Sequence, residues 1–349
     1  MTGKGVALQG ALAVVGLAAA YLTWQRQPEL QAGEVFVLDI TKNDLQKIRF
    51  DDEDAKTWAE LQLDSDDNGS FVALRLSERE APEAKKPASA PTPSKPTPER
   101  VVRGSDAAQT LYQRFAPLRA TRALGVLDAT KLKDLGLAAT KKHITVVTRS
   151  GRRVFAIAPA PLGGTDPYLR DQTDGRVFVI PRSILSDFQA AATSLVEHHL
   201  HGFRLEDADR VSMAAGSAKQ EYRVARAGDG RGVEIASTHA PDKPDPAARA
   251  WHERAFGLWP SESLGKGEMP IEGEPQTRLR LDYFARGRSL GWLTVAEASV
   301  SPGQSVSSTS PAPKKTFYAR SESTLGWVKL SGDTDSLLTE GVKLVGGKP

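Results

Sequence analysis

Six short elements occur twice in this chain in the same order, and an order kept twice restricts the fold to two copies of one unit. Asp44-Leu-Gln-Lys-Ile-Arg-Phe50 matches Asp207-Ala-Asp-Arg-Val-Ser-Met213 in pattern: acid, apolar, polar, basic, apolar, polar, apolar. Alternation with period two predicts a half-buried strand. A hairpin follows each copy. In the first, Thr57–Leu63 and Phe71–Leu76 flank the turn Asp64–Gly69. In the second, Glu221–Arg226 and Gly232–Ala236 flank Gly228–Gly230. Acidic and glycine residues between alternating runs are a hairpin signal.

The later elements keep the same sequence of events. A proline-rich stretch comes next, long in the first copy (Pro82 to Pro98) and short in the second (Pro241 to Pro246). A helix then follows in each copy. Ser105 caps the first, with Ala108, Leu111, Phe115 and Leu118 as its apolar face. Asp245 caps the second, Pro246 takes its first position, and Ala247, Trp251 and Ala255 line one side. A second hairpin with a Gly-Arg turn follows, from His143 to Ala158 and from Arg278 to Val295. Last come Tyr168–Arg170 with Val177–Ile180, and Tyr318–Arg320 with Trp327–Leu330. Ser183 to Leu200 reads as a helix connecting the copies, with Ile184, Phe188, Ala191 and Leu195 at helical spacing.

The expected fold class is therefore α+β: two tandem copies of a mainly antiparallel sheet unit with one helix each, after an N-terminal transmembrane helix. The expected bounds are 6–24 for the membrane segment, 34–182 for the first copy, 183–200 for the connecting helix and 201–345 for the second copy.

The membrane segment, Val6 to Trp24, is a run in which Gln9 is the one strongly polar residue. At ~1.5 Å per residue it is long enough for a ~30 Å hydrocarbon core. Tyr21 and Trp24 lie at its end, where amphipathic aromatics favour the headgroup layer. Lys4 and the amino terminus precede it, and Arg26 and then Glu29 follow it, which leaves a small bias toward N-in, C-out. Ala18-Ala19-Ala20 leaves a cleaved signal peptide as the alternative. Either way the remainder is expected outside the cytoplasm. The chain has no cysteine, so no disulfide or thiol chemistry enters. Its 46 basic and 43 acidic residues are mixed along the chain without a basic stripe, which points away from nucleic acid as a partner.

Two clusters carry metal-ligand residue types. Asp64, Asp66 and Asn68 with Gly69 match the first half of a calcium loop, but the twelfth position is Arg75 where a bidentate glutamate belongs. A polar hairpin turn is the simpler reading. His198, His199 and His201 follow Glu197, but they lack the i,i+4 histidine pairing of helical zinc sites, and a solvated helix end is the simpler reading. No G-x-S-x-G elbow occurs, and Gly3-Lys4-Gly5 and Gly265-Lys266-Gly267 lack phosphate-loop spacing. No catalytic residue, cofactor or metal is assigned. Trp251, Trp259, Trp292 and Trp327 are expected in the core, with a sugar-stacking surface as the alternative.

Several stretches resemble the exported family known as domain of unknown function 4340. They are Leu118–Gly125, Lys131–Leu137, the Ile144–Ala158 hairpin, and Gly163–Arg170 with Val177–Ile180; the anchor followed by Phe36–Asp39 adds to the likeness. The resemblance covers most of the first copy and the second faintly. The Pro82 to Pro98 insertion departs from the family's compact form. The resemblance implies a single-anchor protein of the bacterial inner membrane, facing the periplasm, often beside gliding-type ABC transporters. It supplies no catalytic residues. The leading expectation is a non-enzymatic accessory or scaffold for an ABC-type transporter or an envelope or motility machine, with an integral-membrane partner. A glycan- or peptide-binding module is the alternative, and an envelope hydrolase a more distant one.

Overall fold

The computed structural model describes residues 33–67, 69–77, 99–160, 164–228, 232–298 and 315–346. The expected membrane segment and the 82–98 loop lie outside the described residues. Among the described residues no helix is long and apolar enough to cross a membrane.

The first unit runs β1 (Val35–Leu38), β2 (Leu45–Asp52), β3 (Thr57–Asp66), β4 (Gly69–Ser77), β5 (Glu99–Arg103), α1 (Asp106–Arg114), β6 (Leu118–Ala120), β7 (Arg122–Val126), α2 (Ala129–Asp134), β8 (Lys142–Thr148), β9 (Gly151–Ala158), β10 (Tyr168–Asp171), β11 (Arg176–Val179), α3 (Arg182–Gln189) and α4 (Ala191–Ser194). After a short 3-10 turn, the second runs β12 (Arg210–Ala215), β13 (Ala218–Arg226), β14 (Val233–Ser237), α5 (Pro246–Phe256), β15 (Pro260–Ser263), β16 (Gln276–Ala285), β17 (Arg288–Ala298), β18 (Thr316–Ser321), β19 (Val328–Leu330) and α6 (Thr334–Leu344). Mainly antiparallel sheets with a few helices make the fold α+β.

The first sheet has the order β5-β4-β3-β2-β8-β9-β10-β11-β7. The second has β14-β13-β12-β16-β17-β18-β19-β15. Without β5 the two orders coincide position by position, and α1 and α5 occupy the same place in the chain. Every neighbouring pair is antiparallel. Tight turns set the registers. Between β16 and β17, Arg286 (φ 52°) and Gly287 (φ 76°) both take positive φ, as a right-twisted hairpin requires.

One face of each sheet carries helices. In the first unit Ile48, Leu61 and Leu74 meet Leu111 of α1 and Phe188 of α3 in one apolar cluster. Phe50 stacks on Phe188 at 5.4 Å, and Phe115 meets the same ring edge-on. In the second unit Met213, Leu281 and Val295 cluster with Trp251 of α5 and Leu337 of α6. The Trp251 indole N–H donates to the Leu337 carbonyl at 2.8 Å, tying the helices together. A Cβ added at Gly341 would stand 2.6 Å from the Trp251 ring, so only glycine lets α6 approach this closely. Alternation sends charges to the opposite face, where Lys47, Arg49 and Arg75 surround Glu60.

Several expectations need correction. Each unit has more than one helix. The 183–200 segment is not one connecting helix: α3 and α4 end at Ser194, and Ile184, Phe188, Ala191 and Leu195 all belong to the first unit's core. Ser105 stands at the start of α1 without capping it; its hydroxyl donates to the Ser194 carbonyl at 3.1 Å instead. Leu118 belongs to β6, not to the helix. Asp245 does cap α5, accepting from the Ala247 and Ala248 N–H groups at 3.0 Å, with Pro246 in the first turn.

Candidate functional site: a cavity between the two sheets

β5, the strand of the large first sheet that has no counterpart in the second, is where the two units meet. One of its edges pairs with β4. Its other side faces the second unit and the chain leaving α4. The Lys266 N–H donates to the Val101 carbonyl at 2.8 Å, and the Glu197 N–H donates to the Arg103 carbonyl at 2.9 Å. Arg100 donates to the Ser263 carbonyl at 3.2 Å and lies 3.8 Å from Glu262 and 3.5 Å from Glu268. Arg103 reaches the Glu322 carbonyl at 3.4 Å.

Beside this seam lies a cavity of about 840 Å³. Its floor is the margin of the first core: Phe50, Leu76, Val102, Phe188, Ala191 and Val196. Its rim is polar. Thr57, Trp58 and Ser77 come from the ends of β3 and β4, Gln189, Thr193 and His198 from α3, α4 and the chain beyond, and Ser261, Glu262 and Ser263 from β15. An apolar floor under a few polar groups is the usual build of a ligand pocket.

Three rim groups define the chemistry. Asp52 is buried beside Lys142 and accepts from the Ala55 N–H at 3.1 Å. Burial opposes its ionisation, but these bonds outweigh it and hold the carboxyl below its ordinary value. That charge is therefore already compensated. His198 Nε2 lies 3.1 Å from the Thr193 carbonyl. A carbonyl only accepts, so Nε2 carries the hydrogen and, in the neutral ring, Nδ1 is an acceptor. Nδ1 is shielded from solvent with no hydrogen-bond partner among the described residues, and so is Ser263 Oγ. Buried polar atoms without partners are uncommon because each costs about 1–3 kcal/mol.

The residues singled out in the sequence scatter. Asp64 accepts from the Ser65 N–H, Asp66 pairs with Arg103 at 2.8 Å, and Asn68 lies outside the described residues. The three histidines diverge. His198 faces the cavity, His199 is exposed and pairs with Glu197 at 2.9 Å, and His201 is buried against Glu322 at 3.0 Å. A solvated helix end is therefore wrong for His201. Among the described residues no three histidine, aspartate or glutamate side chains are grouped to hold a metal ion. Of the four tryptophans only Trp251 is fully buried; Trp292 and Trp327 are half-buried, and Trp259 is 52% exposed with its ring stacked on His198.

Sequence reasoning missed the His201–Glu322 cluster. Glu322 also accepts from the Trp292 N–H at 2.8 Å and the Gly202 N–H at 3.4 Å. Phe203, Phe256 and Tyr283 surround the imidazole. Burial and then the Glu322 and Asp282 charges push the Tyr283 phenol well above its ordinary value. This cluster fixes the chain where it enters the second unit. Compared with known protein families, curated proteins and solved structures, the chain matches none.

Proposed function

We propose that this is a non-enzymatic accessory protein of the bacterial inner membrane, holding a segment of an integral-membrane partner in the cavity between its units. The observation that carries the reading is that about 840 Å³ of space is walled by both sheets, with an apolar floor and a polar rim. In this reading Val6 to Trp24 is retained as a single N-in span, the described units lie in the periplasm, and the partner is an ABC-type transporter or an envelope or motility machine. The two units are read as a tandem duplication, supported by their shared strand order and by the repeated sequence elements. Membership of the family of domain of unknown function 4340 is part of the proposal and rests on the motifs quoted above.

Affinity purification of the full chain from detergent-solubilised membranes, with Ala192→Trp alongside, tests it. Ala192 is exposed and lines the cavity, so a large side chain there fills the space without entering the core. One integral-membrane protein is expected with the parent chain and not with the variant. Retrieval of none by the parent chain overturns the accessory role. Protease digestion of spheroplasts tests the topology, and protection of the sheets would refute it. A glycan-binding reading is favoured by Trp58 on the rim and by the exposed Trp259 beside it on His198. Quenching of tryptophan fluorescence by a chito-oligosaccharide would support that second reading.

A further inference from the structure

We infer that a cationic hollow at one corner of the first sheet binds the phosphate of an anionic phospholipid headgroup. This site lies apart from the cavity and takes from the reading above only a bilayer as its setting. Three observations carry it.

The first is the wall. At the start of β2 lies a hollow of about 480 Å³, lined by Lys42, Lys47 and Arg149 and by the amides of Asn43, Gln46 and Gln62. No carboxylate is among the residues that line it. Sheet pairing gathers the cations: Lys47 stands opposite Gln62 on β3 and Val147 on β8, and the Arg149 N–H donates to the Asp44 carbonyl at 2.9 Å. Lys42 and Arg149 are exposed and have no ion-pair partner among the described residues. The Asp44 carboxylate accepts from the Thr41 hydroxyl at 2.7 Å instead of lining the hollow, and its charge offsets part of that on Arg149. Lys47 shares Glu60 with Arg49 and Arg75, so cations are in excess there too. Phosphate oxygens accept and carry negative charge, which ammonium, guanidinium and amide donors match.

The second is the same corner in the other unit. Asp44–Phe50 matches Asp207–Met213, so Lys42 and Asn43 correspond to Leu205 and Glu206. Leu205 is buried. Carboxylates answer the cations there: Arg204 lies 3.8 Å from Glu206 and 3.3 Å from Asp207, and the Arg286 N–H donates to the Asp209 carboxylate. One topology thus closes this corner with paired charges in one unit and leaves it cationic in the other. The fold itself does not require Lys42 or Arg149.

The third is Leu63, which lines the same hollow and is 48% exposed. Cations beside an exposed apolar side chain suit an amphiphile, with its phosphate on Lys42 and Arg149 and its first carbons on Leu63. A free phosphate would leave Leu63 in water. The hollow also sits on the 39–44 connection between β1 and β2, the first loop of the described chain after the expected Val6 to Trp24 span. Basic side chains close to a bilayer are drawn to its anionic lipids.

The experiment places the full chain in nanodiscs of phosphatidylcholine, alone or mixed with phosphatidylglycerol, and reads amide hydrogen exchange. Phosphatidylglycerol is expected to slow exchange at residues 39–47 and 147–151 by about fivefold and to leave residues 204–210 unchanged. Lys42→Gln combined with Arg149→Gln alters two exposed side chains and is expected to abolish the slowing. Leu63→Ser is expected to weaken it. Equal exchange in the two kinds of disc would overturn the proposal. Slowing that persists in the double variant, or that appears equally at residues 204–210, would replace the site with diffuse attraction to a charged surface and overturn it. Inorganic phosphate and glycerol phosphate, added to phosphatidylcholine discs, are expected to slow exchange little. Slowing equal to that by the lipid would assign a free phosphate and overturn the lipid. Retrieval of no membrane partner in the purification above would overturn the accessory role and leave this site standing.

Discussion

The two units share a strand order but differ in what they bury. In the first, the buried charges have close partners: Glu60 has Lys47 at 3.1 Å, Asp171 has Arg153, and Asp52 has Lys142. In the second, the buried polar groups are mostly neutral and several lack partners. His252 is fully buried and neither ring nitrogen has a hydrogen-bond partner among the described residues; the same holds for the Tyr283 hydroxyl and Thr334 Oγ1. One topology therefore accepts two core chemistries, and the second carries an acid sensitivity through its buried neutral histidine.

The largest effect is expected at Glu322. Glu322→Ala leaves His201 and the N–H groups of Gly202 and Trp292 without their buried acceptor, at a cost of about 3 kcal/mol in urea denaturation. An unchanged midpoint would remove the cluster from any structural role. Next is acid. Burial lowers the His252 pKa from 6.5 to about 4. Between those values the unfolded chain takes up a proton that the folded chain refuses, so stability falls as pH drops from about 6.5 to about 4 and is unaffected by this group above that window. At ~1.4 kcal/mol per unit the loss approaches about 3 kcal/mol. His252→Leu should flatten that slope; equal pH profiles for parent and variant would contradict the assignment.

Gly341→Ala should cost about 2 kcal/mol, because the added methyl meets the Trp251 ring. Thermal melting at neutral pH reads this directly, and a neutral result would mean α6 can move away. The smallest effect contrasts the two caps. Asp245→Ala should lose about 1 kcal/mol, whereas Ser105→Ala should lose only a few tenths, since Ser105 does not cap its helix. Equal losses would erase that distinction between the units.

The hairpins and the start of α5 were legible because their signals are local: alternation, an acidic turn, and Asp245 before Pro246. What sequence could not supply depends on distant partners. His201 and Glu322 are 121 residues apart, and no period links them. Glu99–Arg103 carries charges at three of its five positions, so it does not read as a strand, yet pairing with β4 makes it one. Phe188 was visible as an apolar helical residue, but not as part of the first core or of a cavity floor. Arg100 and Val102 of β5 line the cavity, and that part of its wall was hidden with the strand.

The seam along β5 also has a mechanical meaning. Its described polar contacts are main-chain bonds at Val101 and Arg103 and the reach of Arg100 and Arg103. Partly solvated ion pairs contribute about 0–1 kcal/mol each. A joint of that strength is expected to open before either core does. An occupant that bridges the walls would then act as a splint, adding its own bonds to those of the seam.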